Sequence, residues 1–323
     1  MEESASVFAG SGPLLDGAAL ARMRAVLVGH LEEAVSEVAA EAQLPTAPGA
    51  ELLVVDRRGW ISGNVRTLSR VFSDLPLPVE GAQARVVAWE GGAFLGLLAR
   101  AVLAQYDPFR DQLIVVYPNL GEVADGDGLR WLLFHEVTHL AQFRGAPWMS
   151  EYVVETGNKV LGSQDQEWLK QVPRELAARL PDLARWVRDA MQGTLPEDAG
   201  TPLLDLLPPE QKRHIAKLNA LLTVLEGHAT HVTDMISSRL IPDYEQMQAR
   251  IKQRRQRPPL LKLLEALAGL EMKRRQYTLG RSFCADVWEA GGPQALAPVW
   301  ASPDAIPTPE ELREPAKWLT RVS

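Results

Sequence analysis

The run His135-Glu136-Val137-Thr138-His139 has the residue types and the spacing of a hydrolytic metal site. On a helix, residues four apart share a face, so His135 and His139 can turn ring nitrogens toward one ion while Glu136 reaches toward a water held there. The chemistry this would perform is hydrolysis with zinc-activated water and Glu136 as general base. Taken alone, the five-residue pattern also fits two hydrogen-bonded histidines with no metal. Its surroundings favour the ion. Asp125 or Asp127 reads as a helix start, and Leu132, Leu133, Phe134, Leu140 and Phe143 make the helix apolar over much of its circumference. Two imidazoles and a carboxylate inside such a segment need partners, and a metal supplies them.

A catalytic zinc takes three protein ligands and leaves a position for water. In the metzincin pattern a Gly and then a His follow the second motif histidine, but Gln142 and Gly145 stand at those positions, so that subclass is excluded. The single cysteine, Cys284, cannot build a cysteine cluster or an internal disulfide. The remaining histidines are His30, His214, His228 and His231, and Glu226 leads the carboxylates. On a helix from 217 to 239 at about 100° per residue, Asn219, Thr223, Thr230 and Thr233 fall within roughly 60° of Glu226. Leu218, Leu221, Leu225, Ala229, Val232 and Ile236 form the neighbouring apolar arc. Glu226 therefore heads an uncharged polar strip beside the core and is the first choice for third ligand. His228, about 160° away among apolar residues, is the second. Gly227 next to the ligand weakens the helix by about 1 kcal/mol relative to Ala, which points to a local reason for glycine.

These helices need a scaffold. Residues 16–43 carry apolar side chains at spacings of three and four, which predicts an amphipathic helix. A short apolar run at 52–55 precedes a helix expected at 64–72, a Pro/Gly loop at 76–81 and a helix interrupted by Gly91 and Gly92 at 86–103. The β-branched stretch 112–119, closed by Pro118, reads as a strand, either buried in a core or offering its edge to an extended substrate. Helices are expected at 148–160 and 166–191, and the proline-rich stretch 193–209 as a surface crossing or a lid. The expected class is α+β, mainly α with a small β-sheet. A single domain would span 1–323, with an N-terminal subdomain at 1–120.

Composition fits that picture. Of 323 residues, 46% are hydrophobic and 23% charged, which suffices for a sizeable core without disulfides. A net charge of −7 argues against a nucleic-acid partner. No apolar run reaches membrane-spanning length, and the first residues lack a secretory pattern, so a cytoplasmic protein without a membrane partner is expected. Oligomeric state stays open.

With these blocks assembled, the chain resembles a bacterial and archaeal family of zincin-like proteins described as zinc-dependent metalloproteases, some of them labelled with deazaflavin coenzyme biosynthesis. Val54 to Asn64 resembles its N-terminal signature, and His135 to Phe143 with Pro147-Trp148 its central block. Leu225 to Ala229 resembles its EGHA block, and Glu271 to Tyr277 with Gly280 and Phe283 its C-terminal block. The resemblance implies a zincin-like, mostly helical fold with gluzincin-type active-site helices, one Zn2+ on His135, His139 and Glu226, and Glu136 as base. Related glutamate-ligand sites place an Asp four residues after the glutamate to orient a ligand histidine, whereas this chain has Thr230 there. Thr230, Asp234 and His228 are the candidates for residues behind the ligands. Tyr277, which shares a helical face with Lys273 and Arg281, is either an oxyanion donor or a structural aromatic. The substrate would be a peptide or small amide. The alternatives are a non-catalytic, zinc-stabilised binding or scaffold protein and a coenzyme-pathway protein.

Overall fold

A computed structural model describes the chain outside residues 47–48, 72–91, 93–94, 97, 163–181, 183–184, 186–206 and 255–269. The expected 76–81 loop, nearly all of the 166–191 helix and of the 193–209 crossing, and half of the 86–103 helix lie outside the described residues. The described chain is mostly helical with one three-stranded sheet, the α+β class expected. It divides into two compact units, residues 1–150 with 229–251 and residues 151–228 with 252–323.

The first unit is built around a sheet of order β1-β3-β2, comprising β1 (Glu51–Val55), β2 (Ala104–Asp107) and β3 (Gln112–Val116). β3 runs parallel to β1, with Leu53 opposite Ile114, and antiparallel to β2, with Tyr106 opposite Leu113. Every residue of β3 is buried. With partners on both sides β3 cannot add a substrate strand, so of the two readings of 112–119 the core strand holds for Gln112–Val116, while Tyr117–Asn119 forms a short 3-10 helix. The edges of the sheet are β1 and β2, and β2 carries no pattern strong enough to be read from sequence.

Two helices, packed on each other, share a core cluster with the sheet. α1 (Glu2–Ala9) sinks Ala5 and Ala9 into a cluster with Trp60, Ile61, Ile114 and Val116. α3 (Arg57–Val71) begins seven residues earlier than the sequence suggested, because Asp56 Oδ1 accepts from the Gly59 N–H at 2.7 Å and caps it. The residues around Arg57 are scaffold. Arg57 donates to Asn119 Oδ1 and the Ala9 carbonyl, and Asn119 donates to the carbonyls of Ala99 and Val102. Trp60 Nε1 donates to Gln105 Oε1 and Gln105 to Asn64 Oδ1, which seats β2 against α3.

α2 (Gly17–Ala42) packs on α4 (Gly126–Gly145), which carries the two histidines. Asp16 caps α2 by accepting from the Ala19 N–H, and Asp125 caps α4 by accepting from the Gly128 N–H. The buried stripe of α2 is Leu27, Ala34, Val38 and Ala42, so small alanines let the two helices approach while Val26 faces solvent. Arg130 fastens this packing. It donates to both carboxylate oxygens of Glu33 at 2.9 and 2.6 Å, to Asp127 at 3.1 Å and to the Leu240 carbonyl at 3.2 Å. The Arg130 hydrogen bond holds the Glu33 carboxyl below the usual carboxylate range. A lowered folded pKa contributes stability above the unfolded value and loses it as pH falls. Arg130→Met should therefore lower stability by about 1–2 kcal/mol at pH 7, and the gap should narrow below pH ~4, as read by urea unfolding at both pH values.

The chain continues through α5 (Trp148–Gly162), α6 (Pro209–Leu240) and α7 (Tyr244–Arg254), then α8 (Leu270–Gly291), α9 (Ala297–Ala301) and α10 (Pro315–Val322). In the second unit Trp318 is fully buried edge-on to Phe283 at 5.3 Å and donates to the Ala305 carbonyl. Burial pushes the Cys284 thiol far up, so it is a packing residue rather than a nucleophile. α6 and α8 meet at Gly227 and Gly280, where a Cβ on Gly227 would lie 2.1 Å from the Gly280 carbonyl carbon. No described helix is long and apolar enough to cross a membrane.

Candidate metal centre

α4 is buried nearly all round, with Leu129, Leu132, Leu133, Phe134, Val137, Leu140 and Ala141 inside. His135 and His139, one turn apart on this rigid helix, are half-buried. Their Nε2 atoms lie 3.2 Å apart, and the rings meet edge to face with centroids at 4.8 Å. Two nitrogens each ~2.0–2.1 Å from one ion at a tetrahedral angle are about 3.3 Å apart, so the observed spacing is the one zinc would impose. One ring nitrogen from each histidine and one carboxylate oxygen of Glu226, on α6, all lie within 4.8 Å of one another. Two borderline nitrogens and one hard oxygen are a donor set that suits zinc, and the residues fit the ion.

Glu136 stands next to His135 on α4. It is buried, and its Oε2 accepts a 2.8 Å hydrogen bond from the backbone N–H of Tyr106 on β2. In the antiparallel ladder the N–H groups of β2 alternate between β3 and the outer side, and that of Tyr106 faces outward. Tyr106 is itself held at its far end. Its hydroxyl donates to Asp111 Oδ1 at 2.9 Å, Arg144 Nη2 donates to both Asp111 oxygens, and the ring packs on Phe143. Burial and the neighbouring Asp111 push the Tyr106 phenol far up, so it remains a neutral donor. Asp111 occupies the left-handed region at φ 50°, the tight corner between β2 and β3. The base candidate is thus tethered to an edge strand that is anchored back to the motif helix.

One contact behind the candidate ligands was not among those expected from sequence. His139 Nδ1 lies 2.9 Å from Oε1 of Gln142, three positions along the same helix. Sequence reasoning considered Gln142 only as the place where a metzincin has glycine, although its i+3 spacing from His139 was the available signal. Tyr106 was also missed, and no signal marked it, since its contact to Glu136 is made by backbone. Among the expected positions, Thr230 is half-buried on α6. Asp234 Oδ1 accepts from the Tyr244 hydroxyl at 2.5 Å and from Gln248 Nε2 at 2.9 Å. His228 is buried against Trp300 at 4.9 Å and Trp288 at 6.2 Å. Tyr277 falls on α8, but its side chain lies outside the described residues.

A family model described as zincin-like metallopeptidase matches residues 3–319. No curated protein matches the sequence significantly. Among solved structures, the chain is similar to a protein from Chloroflexus aurantiacus, provisionally described as a hydrolase with a novel fold. The two share 24% identity and a TM-score of 0.70 over 99% of this chain and 96% of that one, a likeness of fold.

Proposed function

Since the chain belongs to the zincin-like metallopeptidase family, we propose that it is a zinc-dependent hydrolase of amide bonds in a peptide or small amide. The convergence of His135 and His139 Nε2 at 3.2 Å, with a Glu226 oxygen in the same cluster, carries this reading. His135, His139 and Glu226 would hold the ion. When bound, zinc supplies Lewis acidity that makes water a nucleophile near neutral pH and polarises a carbonyl.

The chain's own residues would do the rest. Glu136 would take the proton from the attacking water on one carboxylate oxygen and return it to the leaving nitrogen, the role its place beside the first ligand histidine suits. Its other oxygen is occupied by the Tyr106 N–H, so the carboxylate is oriented before substrate arrives. Such fixing reduces the reorganisation needed at the moment of proton transfer. Packing of α4 on α2 and the sheet holds the two histidines and the base on one rigid element, and Glu226 would complete the ligand set from α6.

Metal analysis tests the reading. Purified protein should hold about one zinc per chain, lose it to a strong chelator, and hydrolyse members of a peptide and amide panel only in the loaded state. Undiminished hydrolysis by fully metal-free protein would overturn the proposal, and so would zinc content unchanged in a His135→Ala/His139→Ala variant.

A further inference from the structure

We infer that Gln142 is a positioning residue that fixes His139 as an Nε2 metal ligand before any ion arrives, an inference that rests on the zinc reading above. An amide oxygen only accepts hydrogen bonds. With Gln142 Oε1 at 2.9 Å from His139 Nδ1, the hydrogen of the neutral imidazole sits on Nδ1 and the lone pair on Nε2. That Nε2 is the atom 3.2 Å from His135 Nε2, where the ion would sit. The opposite placement of the amide would donate to Nδ1, put the hydrogen on Nε2 and aim it into the site.

Two further observations make Gln142 more than a neighbour. Its side chain is fully buried, so water cannot easily replace the amide as the acceptor on His139. Both residues stand on α4, three apart, so the contact follows from the helix itself and needs no other element to form. Ring nitrogens of metal-bound histidines characteristically donate their other N–H to a carboxylate, a carbonyl or water, which fixes tautomer and ring plane. Here a neutral amide does so. It orients the imidazole without adding negative charge behind it, so His139 remains a weaker donor than a carboxylate-backed histidine and leaves more Lewis acidity on the ion.

The test uses the full-length protein stripped of metal. Nitrogen-15 histidine spectra at fixed pH should show His139 of the wild type with its hydrogen on Nδ1. Zinc titration against a competing chelator should show Gln142→Met, of similar shape but without the acceptor, binding roughly 10–100-fold more weakly, with His139 redistributed between tautomers. Gln142→Glu should restore binding to at least the wild-type affinity. A wild-type His139 protonated on Nε2 would overturn the inference, and so would wild-type affinity in Gln142→Met. Equal weakening in Gln142→Met and Gln142→Glu with an unchanged tautomer would also overturn it and assign Gln142 to packing alone. If the wild type binds no zinc, the zinc reading fails first and this inference with it, whereas zinc bound equally by wild type and Gln142→Met sinks only the inference.

Discussion

Glu136→Gln is expected to retain zinc and lose hydrolysis by about 10²–10⁴-fold, the range that a positioned general base contributes. The substitution is selective for a structural reason. Glu136 Oε2 accepts from the Tyr106 N–H, and the glutamine carbonyl oxygen can accept the same bond in the same place. The buried edge-strand donor stays satisfied, so the fold and the two histidines on α4 should be undisturbed. Glu136→Ala is the contrasting variant. It leaves the Tyr106 N–H without its acceptor and should destabilise the protein by about 1–3 kcal/mol in addition to abolishing turnover. The decisive comparison is zinc content, thermal midpoint and turnover of the three proteins side by side. Equal turnover in Glu136→Gln and wild type would remove Glu136 from the base role. A wild type that binds zinc but cleaves nothing on the panel would favour a scaffold on a zincin fold.

The candidate metal cluster was legible because a helix writes its geometry into spacing. His135 and His139 are one turn apart, and the uncharged strip of Asn219, Thr223, Thr230 and Thr233 picked out Glu226 on a second helix without knowledge of how the two helices meet. The family, too, was legible from four separated blocks. What the sequence hid was contact made by backbone or by small residues. The tether on Glu136 is a main-chain N–H, which every residue but proline possesses, so nothing at Tyr106 announces it. The seam of α2 is lined by Ala34 and Ala42, which a hydrophobic pattern undercounts. α3 was placed late because Asp56, at the end of the apolar run 52–55, was not recognised as the cap of the helix that follows. The strand within 112–119 was recognised over Gln112–Val116, but its lack of a free edge depends on β1, β2 and β3 being paired in a particular order, which no local pattern records.

The glycine in the EGHA block is the point where sequence and structure meet most sharply, and Gly227→Ala should reveal it. In an exposed helix the exchange would stabilise by up to ~1 kcal/mol, because alanine has less backbone freedom to lose. Gly29 on α2 is such a site, with nothing within 4 Å of an added Cβ, and Gly29→Ala should raise stability. At Gly227 the sign reverses. The added Cβ would lie 2.1 Å from the Gly280 carbonyl carbon and 2.3 Å from its oxygen, and a Cβ on Gly280 would lie 2.0 Å from the Thr223 oxygen. These are backbone atoms of two long helices, so no side-chain rotation relieves the clash. α6 and α8 must part by more than 1 Å to reach ordinary contact, loosening Val224, Phe283 and Cys284, which are buried around the crossing. Overpacking of that kind outweighs the propensity gain, and a net loss of about 2–4 kcal/mol is expected for Gly227→Ala and Gly280→Ala alike. Glu226 is the residue before Gly227, so parting the helices also moves the proposed third ligand, and zinc affinity should fall with stability in both variants while Gly29→Ala leaves it unchanged. Thermal unfolding and chelator-competed zinc titration on the same samples read both effects. Stability and zinc affinity unchanged in Gly227→Ala would show that the Gly227–Gly280 contact does not set the position of Glu226.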